Sequence, residues 1–410
     1  MRRAVRQRTS TRSPIHLGLV PAFLAVVTVC GWPAEAQNIR DSSGVTIVEN
    51  EHPQWGSAQR WRIKAEPILQ LGVETGDRFY EFAGVRGVVR LSDGRFAVAD
   101  AGSNEVRVFS PSGDFVAAFG GGGNGPGEFQ SIIALWETAD REIAVADNIQ
   151  RRITFFDGRY RVARAVSIED GGTVLGEVAP GRFVTARGNR RMSEADVGKV
   201  ILGSVHYTLH DADGRVDREL AVIPDAERLG FRFGGSVTFP YIPFSAHAES
   251  AAGAGVVAWG SGGQPEFTAW IDVTATRILV RWEGRRRREA TDWVGAYLEG
   301  IRANARSAND ERYYNRLVRD APLPRYLPVY QDLLVDGTGR IWVERYRAPG
   351  ETTPEWDVFD VDGIWLGKVE TPHRFRVMEI GDDYLAGVFR DELDVEYVRV
   401  YELLKRGGSN

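Results

Sequence analysis

The fold of this chain is decided by residues 84–121, which read GVRGVVRLSDGRFAVADAGSNEVRVFSPSGDFVAAFGG. The same pattern returns in residues 132–168, which read IIALWETADREIAVADNIQRRITFFDGRYRVARAVSI. Three pairs of landmark residues share one spacing of 47 positions: Asp100 with Asp147, Phe109 with Phe156, and Phe82 with Phe129. A repeat with a period in the forties is typical of propeller blades and of stacked arrays.

Each copy alternates short strand-forming runs with turn residues. Phe96–Ala99 and Val106–Phe109 are rich in β-branched and aromatic residues, as strands are. The turns between the runs, at 92–94, 101–104 and 111–114, each contain a glycine or an asparagine that tolerates positive φ. Four strands joined by three tight turns form an antiparallel meander, which is the blade of a β-propeller.

The residues of this unit carry a family resemblance. The run DGRFAVADAGSNEVRVFSPSGDFVAAFG, residues 93–120, is followed by GNGPGEF at 123–129 and resembles the NHL-repeat class of β-propellers. More broadly, the chain resembles secreted bacterial six-bladed β-propeller proteins, most specifically over residues 82–157. The resemblance implies the fold. It does not choose an activity, because NHL-like propellers include both enzymes and binding modules.

Weaker copies of the unit continue to the C-terminus and give six blades, the last with only three strands. A fourth strand for that blade is available upstream, because Ile68–Gly72 precedes 76–82 in the same order in which Val116–Gly120 precedes 125–129. We therefore predict an all-β, six-bladed β-propeller of four-stranded antiparallel blades, closed by an N-terminal strand that completes the last blade. Closure removes the sheet edges that would otherwise invite aggregation.

The chain divides into segments of different composition. Residues 1–36 hold five arginines, an apolar run from Leu17 to Trp32 and the sequence Ala34-Glu35-Ala36, which is the pattern of a cleaved secretory signal peptide. Residues 37–66 are predicted to be an N-terminal arm with a lead-in strand at Val45–Val48. The propeller then covers residues 67–405, with a helical insertion at 289–320, and residues 406–410 form a disordered tail.

Charge and cysteine usage exclude several functions. Loss of residues 1–36 would change the net charge from −5 to about −9. An acidic chain has the wrong sign for a general nucleic-acid binder, so we expect no nucleic-acid partner. The single cysteine, Cys30, lies in the signal segment, so the mature chain would use no disulfide and no cysteine-ligated metal. No later segment is long enough for a membrane span, and we predict a secreted or periplasmic protein.

Three insertions interrupt the blade spacing, at residues 188–203, 224–245 and 284–329. The last has a helical period, with Val294, Tyr297, Leu298 and Ile301 behind a Thr291 cap, and a second helix is expected from Glu311 to Val318. In a propeller meander, the turn after the second strand and the crossing between blades emerge on the same face. All three insertions occupy such positions, so we predict one loop-rich face that carries binding.

The register of the repeat also indicates candidate ligand-binding residues at one mouth of the channel. Six residues are aligned at the end of the second strands: Asp100, Asp147, Arg187, Trp259, Arg345 and Arg390. Arginine suits recognition of carboxylate, sulfate or phosphate groups. The same residues fit a structural role as well, because aspartates at such positions often accept hydrogen bonds from the following turn, and a ring of mixed charge can form internal salt bridges.

The sequence favours a non-catalytic binding module that presents its loop-rich face to a protein, peptide or glycan, without a metal or other cofactor. The alternative is a calcium-dependent lactonase or esterase-type hydrolase of the gluconolactonase and paraoxonase kind, with Ca²⁺ at the channel mouth. Such a site needs several oxygen ligands converging on one cation. Asp100 and Asp147 suit that chemistry, whereas Arg187, Arg345 and Arg390 oppose it.

Overall fold

Six antiparallel sheets follow one another along the computed structural model, which describes residues 38–56, 60–189, 192–283 and 287–405. The predicted signal peptide (1–36) and tail (406–410) lie outside the described residues. Each sheet contains the four antiparallel strands of one blade, and two of the sheets are extended by further strands from the N-terminal arm. The prediction of an all-β, six-bladed propeller is therefore confirmed.

Blades 1 and 2 are the two copies of the duplicated unit. The strands of blade 1 are Val85–Arg90, Phe96–Asp100, Glu105–Phe109 and Phe115–Gly120, and those of blade 2 are Ile132–Glu137, Ile143–Asp147, Arg152–Phe156 and Val162–Ser167. Every residue of both second strands is buried, because neighbouring blades cover the two faces. The blades approach each other closely: a Cβ on Gly87 would lie 2.7 Å from the Leu135 Cβ.

Blades 3 and 4 are larger. The strands of blade 3 are Thr173–Ala179, Arg182–Asn189, Val200–His210 and Val216–Leu229, and those of blade 4 are Glu249–Gly253, Val256–Gly260, Glu266–Ile271 and Thr276–Trp282. Blade 4 gains two outer strands from the arm, Val45–Asn50 parallel to its fourth strand and then Asn38–Ser42. Asn50 fixes this arm, because its buried amide donates to the Arg281 and Gly363 carbonyls and accepts from the Trp365 N–H.

Blade 5 contains Tyr330–Val335, Ile341–Arg345, Glu355–Phe359 and Trp365–Glu370, and blade 6 contains Phe375–Ile380, Tyr384–Arg390 and Glu396–Leu404. The fourth strand of blade 6 is Leu69–Leu71, which pairs antiparallel with Val398–Val400. The predicted closure by one N-terminal strand is confirmed. A further short strand, Arg62–Ile63, pairs with the end of the same blade at Leu403 and Leu404.

The insertion between blades 4 and 5 contains the two helices, α1 (Val294–Asn304) and α2 (Ala308–Asp320). A 3₁₀ turn at Ala290–Trp293 leads into α1, so Thr291 lies inside that turn and the N-cap position belongs to Trp293. The expected Thr291 cap is wrong for this reason. Ser307 caps α2 by accepting the Asp310 N–H, which starts that helix earlier than predicted.

Candidate functional site

Asp147 ends the second strand of blade 2 and is buried, with 1% of its surface exposed. Its carboxylate accepts backbone N–H groups from Gln130 (2.6 Å), Ser131 (3.0 Å) and Gln150 (2.8 Å). These bonds tie the crossing loop into blade 2 to the turn after its second strand. The carboxylate thus satisfies three partly buried N–H donors.

Asp100 holds the equivalent position in blade 1 and is as deeply buried. It accepts the N–H groups of Ala83 and Gly102 and lies 3.1 Å from the Arg107 guanidinium. Burial raises the pKa of Asp100 above its usual value, although the Gly102 N–H and the Arg107 charge act in the opposite direction. Both aspartates therefore accept hydrogen bonds from the backbone of the turns and crossing loops beside their strands, which is a structural role.

Arg345 ends the second strand of blade 5 and is buried between acidic residues of the third strand. Its Nε and Nη2 donate to the Asp357 carboxylate at 2.8 and 2.7 Å, and its Nη1 donates to Glu355 at 3.1 Å. The guanidinium forks over the carboxylate in the bidentate geometry that gives strong charged hydrogen bonds. All three nitrogen atoms of the Arg345 guanidinium thus donate to side chains of the same blade.

Trp259 lies in the second strand of blade 4, which runs Val256–Gly260. It packs against blade 3, the preceding blade, as Val98 of blade 1 packs against blade 6, so it shares the sheet face of Asp100. Trp259 is 4% exposed, with its ring 5.9 Å from that of Tyr207.

Arg187 and Arg390 are exposed. Arg390 donates to Glu396 at 2.5 Å, and the second oxygen of that carboxylate accepts the N–H groups of Gly84 and Val85 at 2.7 Å each. Of the six aligned residues, four are thus buried and two face solvent. Ligand binding by the set stays a prediction.

The three insertions contact one another and build one feature, which we call the insertion cap (residues 192–203, 224–245 and 287–329). Gly230 joins the first two through backbone bonds, accepting from Gly198 at 2.7 Å and donating to Lys199 at 2.9 Å. Arg232 and Glu194 form an ion pair across the same contact at 2.5 Å. The cap therefore covers the face on which the blade crossings emerge.

The second and third insertions meet in an aromatic cluster. The Tyr313 ring of α2 stands edge-on to Phe231 and Phe233, with centroids 5.3 and 5.2 Å apart. Leu317 of the same helix is 1% exposed and packs in this cluster with Ile242. Apolar burial of this kind gives the cap a small core of its own.

Helix α1 is covered less completely. No residue of α1 is fully buried, and Leu298 and Ile301 belong to none of the buried clusters in the described part of the chain. Tyr297 packs edge-on to Phe244 at 5.3 Å. Burial raises the pKa of Tyr297 to about 12, with smaller contributions from neighbouring tyrosines such as Tyr346. The cap thus offers half-buried apolar and tyrosine side chains to solvent, the composition that binding surfaces favour.

The central channel is lined by the first strands of all six blades and contains a cavity of about 720 Å³. Its chemistry is acidic and was not anticipated from the sequence: Asp332 lines the cavity, and Glu249 and Glu344 lie beside Asp332. Asp332 and Glu344 are direct cross-strand neighbours in blade 5. Burial, followed by the charges of Asp332 and Glu344, raises the pKa of Glu249 to about 8. Burial and Glu344 raise the pKa of Asp332 to about 7.

A second set of carboxylates lies toward the channel mouth opposite the cap. Glu379 accepts the N–H of Arg90 at 2.8 Å, Glu137 accepts that of Ser92 at 2.7 Å, and Glu177 accepts the indole N–H of Trp136 at 3.0 Å. These bonds connect neighbouring blades. Burial raises the pKa of Glu379 to about 7. This set therefore stabilises the ring closure.

The sequence contained one signal for the channel residues. Glu249, Asp332 and Glu344 are acidic residues of strands that otherwise contain mostly uncharged residues, and acidic residues are rarely buried unless they have a polar partner. Within the described ranges, no group of three or more His, Cys, Asp or Glu side chains is arranged to hold a metal ion. None of the described helices is long and apolar enough to cross a membrane.

These features define a six-bladed β-propeller. A family model described as a 6-bladed beta-propeller matches residues 71–163. RING finger protein nhl-1 of Caenorhabditis elegans is 35% identical over 111 residues, which are 25% of this chain and 11% of that protein. The chain thus spans about a tenth of this relative's length. The match supports the NHL-like relationship that the sequence predicted.

Solved structures with a similar fold include bacterial proteins. A putative exported protein from Bacteroides fragilis covers 88% of this chain and 100% of its own, with 12% identity and a TM-score of 0.47. A DUF4221 family member from Bacteroides vulgatus covers 85% and 100%, with 11% identity and a TM-score of 0.48. Virginiamycin B lyase from Staphylococcus aureus covers 84% and 100%, with 9% identity and a TM-score of 0.41.

Proposed function

We propose that this protein is an extracytoplasmic binding module that presents its insertion cap to a protein, peptide or glycan. The observation that carries the proposal is the union of three separate insertions into one cap on one face of the propeller. Loops held on a rigid scaffold are the usual carriers of binding in such folds. The signal-like residues 1–36 support placement outside the cytoplasm.

The composition of the cap supports this choice over a purely structural role. A cap that only sealed the propeller would bury its apolar helix face, yet Leu298 and Ile301 of α1 are only partly covered. The neighbouring Tyr297 and Tyr314 add side chains that combine apolar area with a hydroxyl group. Such side chains contribute much of the affinity in protein and glycan interfaces.

The test is a binding profile on peptide, protein and glycan arrays. The variant Leu298→Glu/Ile301→Glu places charge on the partly covered face of α1, and we expect it to lose the ligands that the wild type retains. Val273→Glu is the matched control, because Val273 is 90% exposed in the turn between the third and fourth strands of blade 4, on the opposite face. Unchanged binding by the α1 variant would reject the proposal.

The competing proposal is a hydrolase that works in the channel. It is favoured by Glu249 and Asp332, whose raised pKa values are those of groups able to exchange protons near neutrality. A calcium titration of the melting temperature separates the two proposals. A rise in melting temperature that saturates at stoichiometric calcium, and that Asp332→Asn abolishes, would favour the hydrolase. A melting temperature that calcium does not change would favour the binding module.

A further inference from the structure

The neck of the helical insertion carries exposed positive charge, although the whole chain has a net charge of −5. Two segments lie side by side there, and we call them the insertion neck (residues 287–290 and 325–328). The Ala290 N–H donates to the Arg325 carbonyl at 3.0 Å, and the Leu327 N–H donates to the Arg288 carbonyl at 2.9 Å. These backbone bonds join the two segments where the insertion leaves the propeller and returns to it.

Two consecutive arginines of the neck have different surroundings. The Arg288 guanidinium is used inside the protein, since it donates to the Glu351 carboxylate at 2.7 Å and to the Tyr346 carbonyl at 2.8 Å. Arg287 is exposed, and its guanidinium donates to the side-chain oxygen of Gln264. In the described part of the chain, Arg288 therefore has an acidic partner and Arg287 has none.

The Tyr326 ring brings a second exposed guanidinium beside that of Arg287. The guanidinium carbons of Arg287 and Arg325 lie 5.3 and 4.9 Å from the centre of this ring, within the range of cation–π attraction. Arg325 has an acidic neighbour in Glu289, but the two groups are 3.9 Å apart and their side chains are 75% and 55% exposed. Such an exposed pair contributes little stability, so a ligand carboxylate can replace Glu289 at small cost.

The neck adjoins the partly covered face of α1. Leu327 of the neck is 5% exposed and belongs to a buried cluster against which Val294 and Tyr297 of α1 pack. Leu298 and Ile301 follow on the same helix, and Ile301 lies about 10 Å along the helix axis from Val294. An apolar patch with arginine at its rim is the usual arrangement of a protein interface.

We propose that the insertion neck and the adjoining face of α1 bind a segment of a partner protein that carries both carboxylate and apolar side chains. Its carboxylates pair with Arg287 and Arg325, because the guanidinium fork matches a carboxylate in bidentate geometry. Its apolar side chains cover Leu298 and Ile301. An acidic polysaccharide matches the two arginines but has no aliphatic side chains for this face. This binding rests on the proposed function of the cap and narrows its ligand to an acidic polypeptide.

The test measures association and dissociation rates of the full mature chain with a blocked peptide in which Glu alternates with Leu, at low and at physiological salt. Charges at the rim of an interface act mainly on the association rate. Arg287→Gln/Arg325→Gln should therefore lower this rate about tenfold at low salt and reduce its salt dependence. A matched peptide with Gln in place of Glu should associate equally slowly with the wild type.

Arg141→Gln/Arg159→Gln is the matched control, because it removes two exposed charges from turns of blade 2 on the opposite face. Its rates should equal those of the wild type. The melting temperature checks folding, and the neck variant should leave it unchanged because both side chains are exposed. Arg288→Gln should lower it, because hydrogen bonds inside the protein are lost.

Leu298→Ala/Ile301→Ala distinguishes failure of the proposed function from failure of the acidic-ligand proposal. Loss of apolar contact should raise the dissociation rate of the Glu–Leu peptide severalfold and leave its association rate unchanged. An unchanged dissociation rate would count against the proposed function, whereas a wild-type association rate in the neck variant would overturn the acidic-ligand proposal alone. Equal affinity for the Glu and Gln peptides would also overturn it. So would the absence of binding by the Glu–Leu peptide, with or without binding of an oligogalacturonate probe.

Discussion

Arg345 and Asp357 form a buried bidentate ion pair within blade 5, with N–O distances of 2.8 and 2.7 Å. The two side chains are 8% and 2% exposed. The pair connects the second and third strands at the end nearest the insertion cap. It gives Arg345 a structural role in an internal salt bridge, one of the two roles that the sequence allowed for the aligned residues.

Replacement of Arg345 should destabilise the protein strongly. We expect Arg345→Met to lower the free energy of unfolding by about 3–5 kcal/mol, because the Asp357 carboxylate is left buried without a countercharge. The double variant Arg345→Met/Asp357→Leu should recover most of this loss. Denaturant unfolding measures both. Arg215→Met, which removes an exposed pair with Asp213, should cost about 0–1 kcal/mol. Similar losses in the two single variants would contradict the structural role.

Asp147→Asn tests whether Asp147 stabilises the turn and the crossing loop that donate hydrogen bonds to it. The amide retains one oxygen for the N–H groups of Gln130, Ser131 and Gln150, so we expect a loss of about 2 kcal/mol or more in the free energy of unfolding. Asp140→Asn, at an exposed position, is the control. If the variant instead kept wild-type stability and lost ligand binding, Asp147 would be a ligand-binding residue.

Leu71→Ala tests the closure of the ring. Leu71 is 2% exposed in the closing strand, so its truncation should cost about 2–5 kcal/mol. The weakened closure should also promote association, because an opened ring exposes strand edges. Urea unfolding and light scattering measure the two effects. Leu393→Ala, at a position that is 71% exposed, should change neither. A negligible effect at Leu71 would mean that the closing strand is dispensable.

The channel carboxylates predict a pH dependence of stability. The pKa of Glu249 is raised to about 8 in the folded protein, so the folded state binds its proton more tightly than the unfolded state does. Stability from this group is therefore present below the unfolded pKa and is lost as the pH rises toward about 8. We expect Glu249→Gln to flatten the fall of the melting temperature between about pH 5 and 8. Glu392→Gln, at an exposed position, should leave the slope unchanged. An unchanged slope in the Glu249 variant would contradict the burial of this charge.

The architecture followed from the sequence because the duplicated unit repeats its turn glycines and strand pattern with little change. Its register also found the closing strand at Leu69–Leu71. The same register placed Trp259 in the second strand of blade 4, but it did not show that this side chain is buried against blade 3. The burial of an aligned residue depends on the packing of neighbouring blades, so alignment of degenerate blades locates strands better than it locates the surroundings of a side chain.

The channel acids were missed for a different reason. Asp332 and Glu344 face each other within blade 5, but Glu249 is distant from both in sequence, and only the ring brings its strand beside theirs. The sequence indicated the face on which the insertion cap lies, because strand topology alone determines that face. Its aromatic contacts, such as Tyr313 with Phe231, depend on the packing of separate insertions, and no local pattern specifies them.

The central claim, that the insertion cap is the binding face, is tested most directly by amide hydrogen exchange. The protein is measured with and without the tightest ligand from the array profile. We predict protection in α1, in α2 and in the hairpin at 231–238. Protection confined to the opposite face, such as the turns at 91–95 and 271–276, would contradict the claim.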